Sequence, residues 1–430
     1  MLFTKVITAL SLAAPVLSIG VRIAQFSDGN CVSSIDPAIN ILRDGCSTWS
    51  TPVGKSMSVS TYAASGDSDF SCLAVIVQLR QHSGRYCWTS GHGSAGRGVH
   101  HHAHQRSGLN LMAVEDIGSI YAGKSRTPEA FRSAGLFTKL QAAGYEVKGY
   151  SALTEPAVWS SSTREPSGAR NESATVAACH RVSKAITDVL NEDRQPSFHF
   201  ILSGECLYTP AILSAYWNYL RPTTHKIGII YFDADADLYT PSDSGGSGNI
   251  AGMTLTHLTL RDGALDSMKI FCKPDGSGVV DETNIVLFGM NSQCEANKRE
   301  HLGHLFDNNF RVLTSITVQR TPEESAETGL AYMREQGVDH IIVHLDVDVI
   351  DPGEFPLCNV PNWTGLGYAQ TMRALDVFLG SRKCVGLSIA EVNPDHDPGL
   401  VMTRRLVDDV VNGLVRRSVH ATLPWVGEEE

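Results

Sequence analysis

Two kinds of patterning divide the chain. From about residue 109 onward, short unbroken apolar runs alternate with stretches of helical period. The runs "FHFILS" (198–203), "KIGIIYF" (226–232), "NIVLFGM" (284–290), "FRVLTS" (310–315), "HIIVHLDV" (340–347) and "CVGLSIAEV" (384–392) predict buried strands, being short, β-branched or aromatic and bounded by polar residues. Between them, "TPEAFRSAGLFTKLQAAG", "VAACHRVSKAITDVLNE" and "PEESAETGLAYMREQG" predict helices. The first has Pro128 and Glu129 in its opening turn and Gly144 just past its end. Strands apolar on both faces and separated by helices predict an α/β fold of three layers, α/β/α, around a central, mostly parallel sheet. Sites in such sheets form beyond the carboxyl ends of the strands.

Polar groups follow four of the predicted strands at that position. "IIYF" runs into Asp233, Asp235 and Asp237, "IIVHL" into Asp346 and Asp348, "GLSIA" into Glu391, and "HFIL" into Ser203-Gly-Glu-Cys206. If the chain stays extended, Asp233, Asp235 and Asp237 point the same way, since alternate side chains share a face. One acidic strand end reads as a solvated turn or a helix cap. Four at one edge predict a bound cation or a charged substrate, because converging carboxylates raise one another's pKa until positive charge relieves them.

Upstream of residue 109 the pattern changes. Residues 1–20 carry Lys5, an apolar stretch from Val6 to Leu17, and small residues near Val16 and Ser18. This predicts a secretory signal, too short to span a bilayer, with a buried N-terminal helix as the alternative. Residues 21–88 hold Cys31, Cys46, Cys72 and Cys87 among Ser, Gly and Thr, and predict a small disulfide-bonded domain whose pairing stays open among three possibilities. Residues 89–108, rich in Gly, Ser and His, predict a linker; His100, His101, His102 and His104 are a metal-binding alternative there. The α/β domain is expected over 109–425. The other cysteines, Cys179, Cys206, Cys272, Cys294, Cys358 and Cys384, fall in apolar surroundings that suit free thiols. A formal net charge of −11 argues against nucleic acid and anionic membrane as partners, and no later apolar run is long enough to cross a bilayer.

The motifs "SGEC" (203–206), "DADADLYTP" (233–241), "DVDVIDP" (346–352) and "EVNP" (391–394) occur in that order, and "TPEAFRSAGL" lies upstream. Together they resemble the ureohydrolase family: arginase, agmatinase, formiminoglutamase and relatives. The resemblance covers most of residues 109–425 and implies an arginase-like fold. It further implies hydrolysis of a linear amidine or guanidino C–N bond by water activated at a divalent metal centre, Mn2+ being the expected ion, with one or two bound. Carried across, it makes Cys206, Asp233, Asp235, Asp237, Asp346 and Asp348 the metal ligands and Asp237 and Glu391 the catalytic residues. Glu391 also pairs with the substrate's planar cation, and Ser247 and Asn249 of "GSGNIAG" join it in binding substrate. The expected partner is a small guanidino or amidine compound, and the family habit of forming trimers or hexamers implies a homo-oligomer.

The departures fall on the chemistry. Cys206 and Asp235 stand where the family has histidine ligands, Ala251 where a proton-shuttling histidine follows the Ser-Gly-Asn motif, and Tyr239 where an asparagine precedes Thr-Pro. "GMNSQCE" (289–295) lacks a matching aspartate in the loop by which arginases read the amino acid end of their substrate. Arginine itself is therefore not the expected substrate. Exchanging two neutral imidazoles for a carboxylate and a thiolate adds two negative charges, which weakens activation of bound water unless Cys206 stays protonated, Asp235 turns away, or a single hard ion such as Ca2+ or Mg2+ binds. Two functions are thus expected in competition: a divergent hydrolase, or an inactive protein that uses the fold for binding or scaffolding. His257 is a candidate replacement shuttle, with helix packing as its ordinary role. The N-terminus predicts secretion, a cytoplasmic protein whose residues 1–108 are a mis-joined reading frame being the alternative, and Asn171 and Asn362 open glycosylation sequons.

Overall fold

A computed structural model describes residues 21–23, 39–41, 75–79, 110–112, 117–118, 121–153, 164–192, 197–416 and 423. The signal-like segment, the four N-terminal cysteines and the His-rich stretch lie outside these residues.

One unit contains a two-stranded antiparallel pair, β1 (Val21–Ile23) and β2 (Ile39–Ile41). The other contains the large sheet. Its strands are β3 (Val75–Leu79), β4 (Asn110–Met112), β5 (Phe198–Gly204), β6 (Ile227–Phe232), β7 (Ile285–Met290), β8 (Arg311–Thr314), β9 (His340–Asp346) and β10 (Cys384–Ala390). Six of them lie side by side in the order β5-β10-β9-β6-β7-β8, all parallel. β4 pairs with β5 in parallel and β3 pairs with it antiparallel. Residues 75–79, which the sequence boundaries assign to the Cys-rich segment, therefore pair with the main sheet.

Every residue of β5, β6, β7, β9 and β10 is buried, as expected of strands covered on both faces. β8 closes one edge and is only partly buried. The covering helices are α1 (Thr127–Ser133), α2 (Leu136–Ala142), α3 (Glu172–Glu192), α4 (Thr209–Leu220), α5 (Thr254–Thr259), α6 (Arg299–Asp307), α7 (Ser315–Arg320), α8 (Pro322–Glu335), α9 (Tyr368–Gly380) and α10 (Val401–Arg416). α3 packs on α4 and α4 on α5, whereas α8, α9 and α10 pack in series and α10 meets α1 and α2. α3 buries Ala178, Cys179, Val182, Ile186 and Val189, the single stripe that a helix on a sheet requires.

The helix expected over 127–144 is two helices. Gly135 takes φ 88° and ends the first, its N–H bonding back to the Arg132 carbonyl at 2.9 Å. Only glycine adopts that conformation at little cost, so "SAGL" is a helix stop followed by a restart.

Candidate metal centre

The four adjacent strands β5, β10, β9 and β6 bring their carboxyl ends to one edge of the sheet. β9 ends on Asp346, whose side chain accepts the Asp348 N–H at 3.0 Å and caps the 3-10 turn Val347–Val349. β10 runs into Glu391, whose N–H donates to the Gly204 carbonyl at the end of β5 (2.8 Å). The Glu391 side chain accepts the Cys206 N–H at 3.2 Å. β6 ends at Phe232 and delivers Asp233.

Two groups of donors result. One oxygen each from Asp233, Asp346 and Asp348 lie within 4.8 Å of one another, and so do Cys206 Sγ and oxygens of Asp346 and Glu391. Asp346 belongs to both. Ligands held about 2.0–2.3 Å from a shared ion stand at most about 4.6 Å apart, so slight side-chain closure suffices for each group to bind one. Asp233, Cys206, Asp346, Asp348 and Glu391 are all buried. Among the described residues no Lys or Arg pairs with Asp233, Asp237, Asp346 or Asp348. Burial foremost, and then the neighbouring carboxylates, push all four acids well above the usual carboxylate range. Burial first, and then Asp237, Glu391, Asp346 and Asp233, also raise the Cys206 thiol. Cations inserted here would reverse that penalty, and the oxygen-rich donor set suits divalent ions.

The remaining predicted ligands sit differently. Asp233, Asp235 and Asp237 do not project together from an extended strand. The Asp235 N–H turns back onto the Asp233 carboxylate at 2.6 Å, and Asp237 takes φ 48°. Asp237 accepts the Tyr231 hydroxyl at 2.7 Å and lies in neither donor group, although its charge raises both Asp233 and Cys206. Asp235 is half-buried and lies 3.1 Å from Cys294 Sγ. Glu391 shares the left-handed conformation of Asp237, at φ 62°. Strained backbone of this kind concentrates at functional sites.

Ser247 and Asn249 belong to a loop whose bonds run elsewhere. Ser247 Oγ accepts the Asn249 N–H, and the carbonyls of 246–248 accept from Arg164 and Arg170. Ala251 packs with Cys206 and Ala390 in a small apolar cluster, and its carbonyl lies 3.8 Å from the Cys206 thiol. The shuttle position is thus filled by hydrocarbon. Tyr239 sits under the Lys298 ammonium, 4.6 Å from the ring centre, and meets the His301 ring edge-on. His257 is buried on α5 with both ring nitrogens unpartnered and its pKa pushed down to about 4 by burial. It makes no bond to the acids, which is the helix-packing role.

Three residues of the site were not singled out from sequence. Cys294, after β7, sits between Asp235 and Asn362 and is pushed up to about 12, chiefly by burial and then by Asp235. Asn362 donates to Asp348 at 3.0 Å. Asn297 accepts the Ala236 N–H at 2.7 Å and donates to the Ala234 carbonyl at 2.8 Å, fixing the bend between Asp233 and Asp237. The strand-end rule marks the loop after β7 as well, and reading it for amides and thiols as closely as for acids would have found two of the three. Asn362 is the predicted sequon, and its amide is buried.

The sequence model of the arginase family matches residues 110–415. The chain belongs to the arginase family. It is 27% identical over 301 residues to arginase from Staphylococcus aureus (strain MRSA252), covering 68% of this chain and 93% of that protein. It is 25% identical over 297 residues to arginase from Bacillus caldovelox, covering 67% and 92%. Among solved structures, arginase from Bacillus subtilis matches with a TM-score of 0.59 at 22% identity, over 72% of this chain and 98% of that one. Formimidoylglutamase from the same organism matches with a TM-score of 0.51 at 15% identity, over 72% and 87%. At such identities the structural likeness speaks for the fold alone. Arginase-family proteins are metal-dependent hydrolases of C–N bonds that use paired Mn2+ ions, and the two donor groups sharing Asp346 are candidate metal-binding groups of this chain.

Proposed function

We propose that the protein hydrolyses a C–N bond of a small linear amidine or guanidino compound other than arginine. The observation that carries this reading is the sharing of Asp346 between two buried donor groups at the ends of four neighbouring strands. Bound divalent ions would lower the pKa of water and orient it towards the substrate carbon. The residues supply the rest. Asp233, Asp346 and Asp348, with Cys206, hold the ions, while Asp237, fixed by Tyr231, adds negative charge beside them. Glu391 is anchored to the Cys206 N–H, and its carboxylate suits a planar amidinium. Ser247 and Asn249 offer polar contacts on the 246–249 loop.

The loop after β7 argues against an amino acid substrate. It places Cys294 against Asp235, and Glu295 is exposed to solvent. Trp363, 66% exposed, follows Asn362 directly and offers an apolar surface one residue from the Asp348 contact. Guanidines with uncharged or aromatic tails therefore fit this rim better than arginine.

One observation favours a second reading. Among the described residues, the apolar cluster of Cys206, Ala251 and Ala390 stands where the family's shuttle histidine would lie, as suits a binding protein without turnover. Urea or ammonia release from a panel of alkyl- and arylguanidines, amidines and arginine, with Mn2+ present, separates the two. Turnover of one of the panel, abolished by D346N, supports the hydrolase. Metal binding without release from any compound supports the scaffold.

A further inference from the structure

We propose that the two ion positions differ in kind: the group containing Cys206 takes a thiophilic ion, of which Zn2+ is the commonest, while the all-oxygen group takes a hard ion such as Mn2+. The inference rests on the metal-centre reading above and concerns which metal each position selects.

The donor chemistry carries it. Asp233, Asp346 and Asp348 offer only carboxylate oxygens, the set that suits Mg2+, Ca2+ or Mn2+. Cys206 Sγ, with Asp346 and Glu391, offers one soft and two hard donors. Thiolate ligands select Zn2+ and other soft or borderline ions, and a thiol bound to such an ion gives up its proton.

Cys206 is also built in place. Its residue opens the 3-10 turn Cys206–Tyr208, and its N–H is held by the Glu391 carboxylate at 3.2 Å. The Thr254 hydroxyl lies 3.6 Å from Sγ and 2.8 Å from the Ala251 carbonyl. Thr254 is fully buried and Cys206 is 4% exposed. Ala251 and Ala390 pack against it in a small apolar cluster. The bridging Asp346 gives the hard ion and the soft ion one carboxylate in common, and Glu391 keeps a carboxylate beside the sulfur.

The test uses the full-length protein stripped of metal and then supplied with Zn2+ and Mn2+ together. Crystals measured at the zinc and manganese absorption edges locate each ion. Zinc at Cys206 and manganese at Asp233 is the expected result. In solution, Co2+ added alone should give a sulfur-to-cobalt charge-transfer band that C206S removes. C206S should also weaken zinc binding by about 100-fold or more, as loss of a ligand outweighs loss of a supporting group, while manganese still binds at Asp233. Manganese at both positions, or a cobalt spectrum without the sulfur band, overturns this inference and leaves the hydrolase reading intact. Failure of all three ions to bind at either position overturns both.

Discussion

Cys206 and Glu391, 185 residues apart, are joined by a buried hydrogen bond from the Cys206 N–H to the Glu391 carboxylate at 3.2 Å. The contact ties the end of β5 to the end of β10 and sets the thiol proposed as a metal ligand against the acid proposed to read the substrate. E391Q keeps an acceptor for that N–H but loses the charge. It should fold normally and lose about 100-fold or more in kcat/KM, since charged hydrogen bonds to a planar cation strengthen recognition and turnover together. E391A should in addition lose about 1–3 kcal/mol of stability by leaving the buried N–H unsatisfied. Steady-state kinetics and urea denaturation check the pair.

The shared acid gives a crossover. In metal-free protein, Asp346 is held well above the usual carboxylate range by burial and by Asp348 and Glu391. D346N removes one charge from that crowd and should raise the Tm of the metal-free form, while abolishing the gain in Tm that ions give wild type. Thermal melts with and without Mn2+ measure both. A variant less stable than wild type in both states would show that Asp346 is held by hydrogen bonding and feels little repulsion.

The same acids set a pH dependence. Their folded pKa values lie above the unfolded ones, so in that window the native state binds more protons. Stability of the metal-free protein therefore loses their contribution as pH rises through the raised values and recovers it as pH falls towards the ordinary carboxylate range. Bound ions should abolish the effect. Comparing Tm against pH for metal-free and loaded protein checks it, the loaded form gaining stability as pH rises because ions and protons compete for the same donors.

His257 acts in the opposite direction. Burial lowers its pKa from 6.5 to about 4, so below 6.5 the unfolded chain binds the extra proton. Its contribution is full above pH 6.5 and is lost as pH falls to about 4, a change of about 3 kcal/mol at the usual conversion per pKa unit. H257L should flatten the stability curve over that range and leave the metal affinities as they are. Urea midpoints at the two ends of the range provide the measurement.

Beside the site, Lys124 and Glu205 form a fully buried ion pair at 3.6 Å, and Glu205 also accepts the N–H groups of Ile117 and Gly118. K124M removes this buried ion pair and should cost about 3–5 kcal/mol. The K124M/E205Q double variant should recover a large part of the loss, because an amide still accepts the two N–H groups. Chemical denaturation of the wild type, the single variants and the double closes the cycle.

Much of the fold is legible in the sequence because its strands are apolar on both faces. The runs at 198, 226, 284, 310, 340 and 384 each become a parallel strand within one residue of the expected start. The acids are legible for a related reason: a carboxylate directly after a buried strand has few places to go. What periodicity does not show is how the chain bends after the strand. Asp237 reaches its place through a left-handed residue, and Asn297, more than fifty residues later in the chain, holds that bend. Cys294 and Asn362 carry no charge and sit in loops, so they leave no mark in a reading guided by acids and periodicity.

The burial of Asn362 has a consequence for the life history of the molecule. Its amide is engaged with Asp348, and Cys294 lies against its carbonyl side, so a finished chain offers no room there for carbohydrate. A sugar found on Asn362 would have been attached before the loop closed. It would mark molecules that never assembled their acids, turning an ordinary sequon into a tag for failed folding.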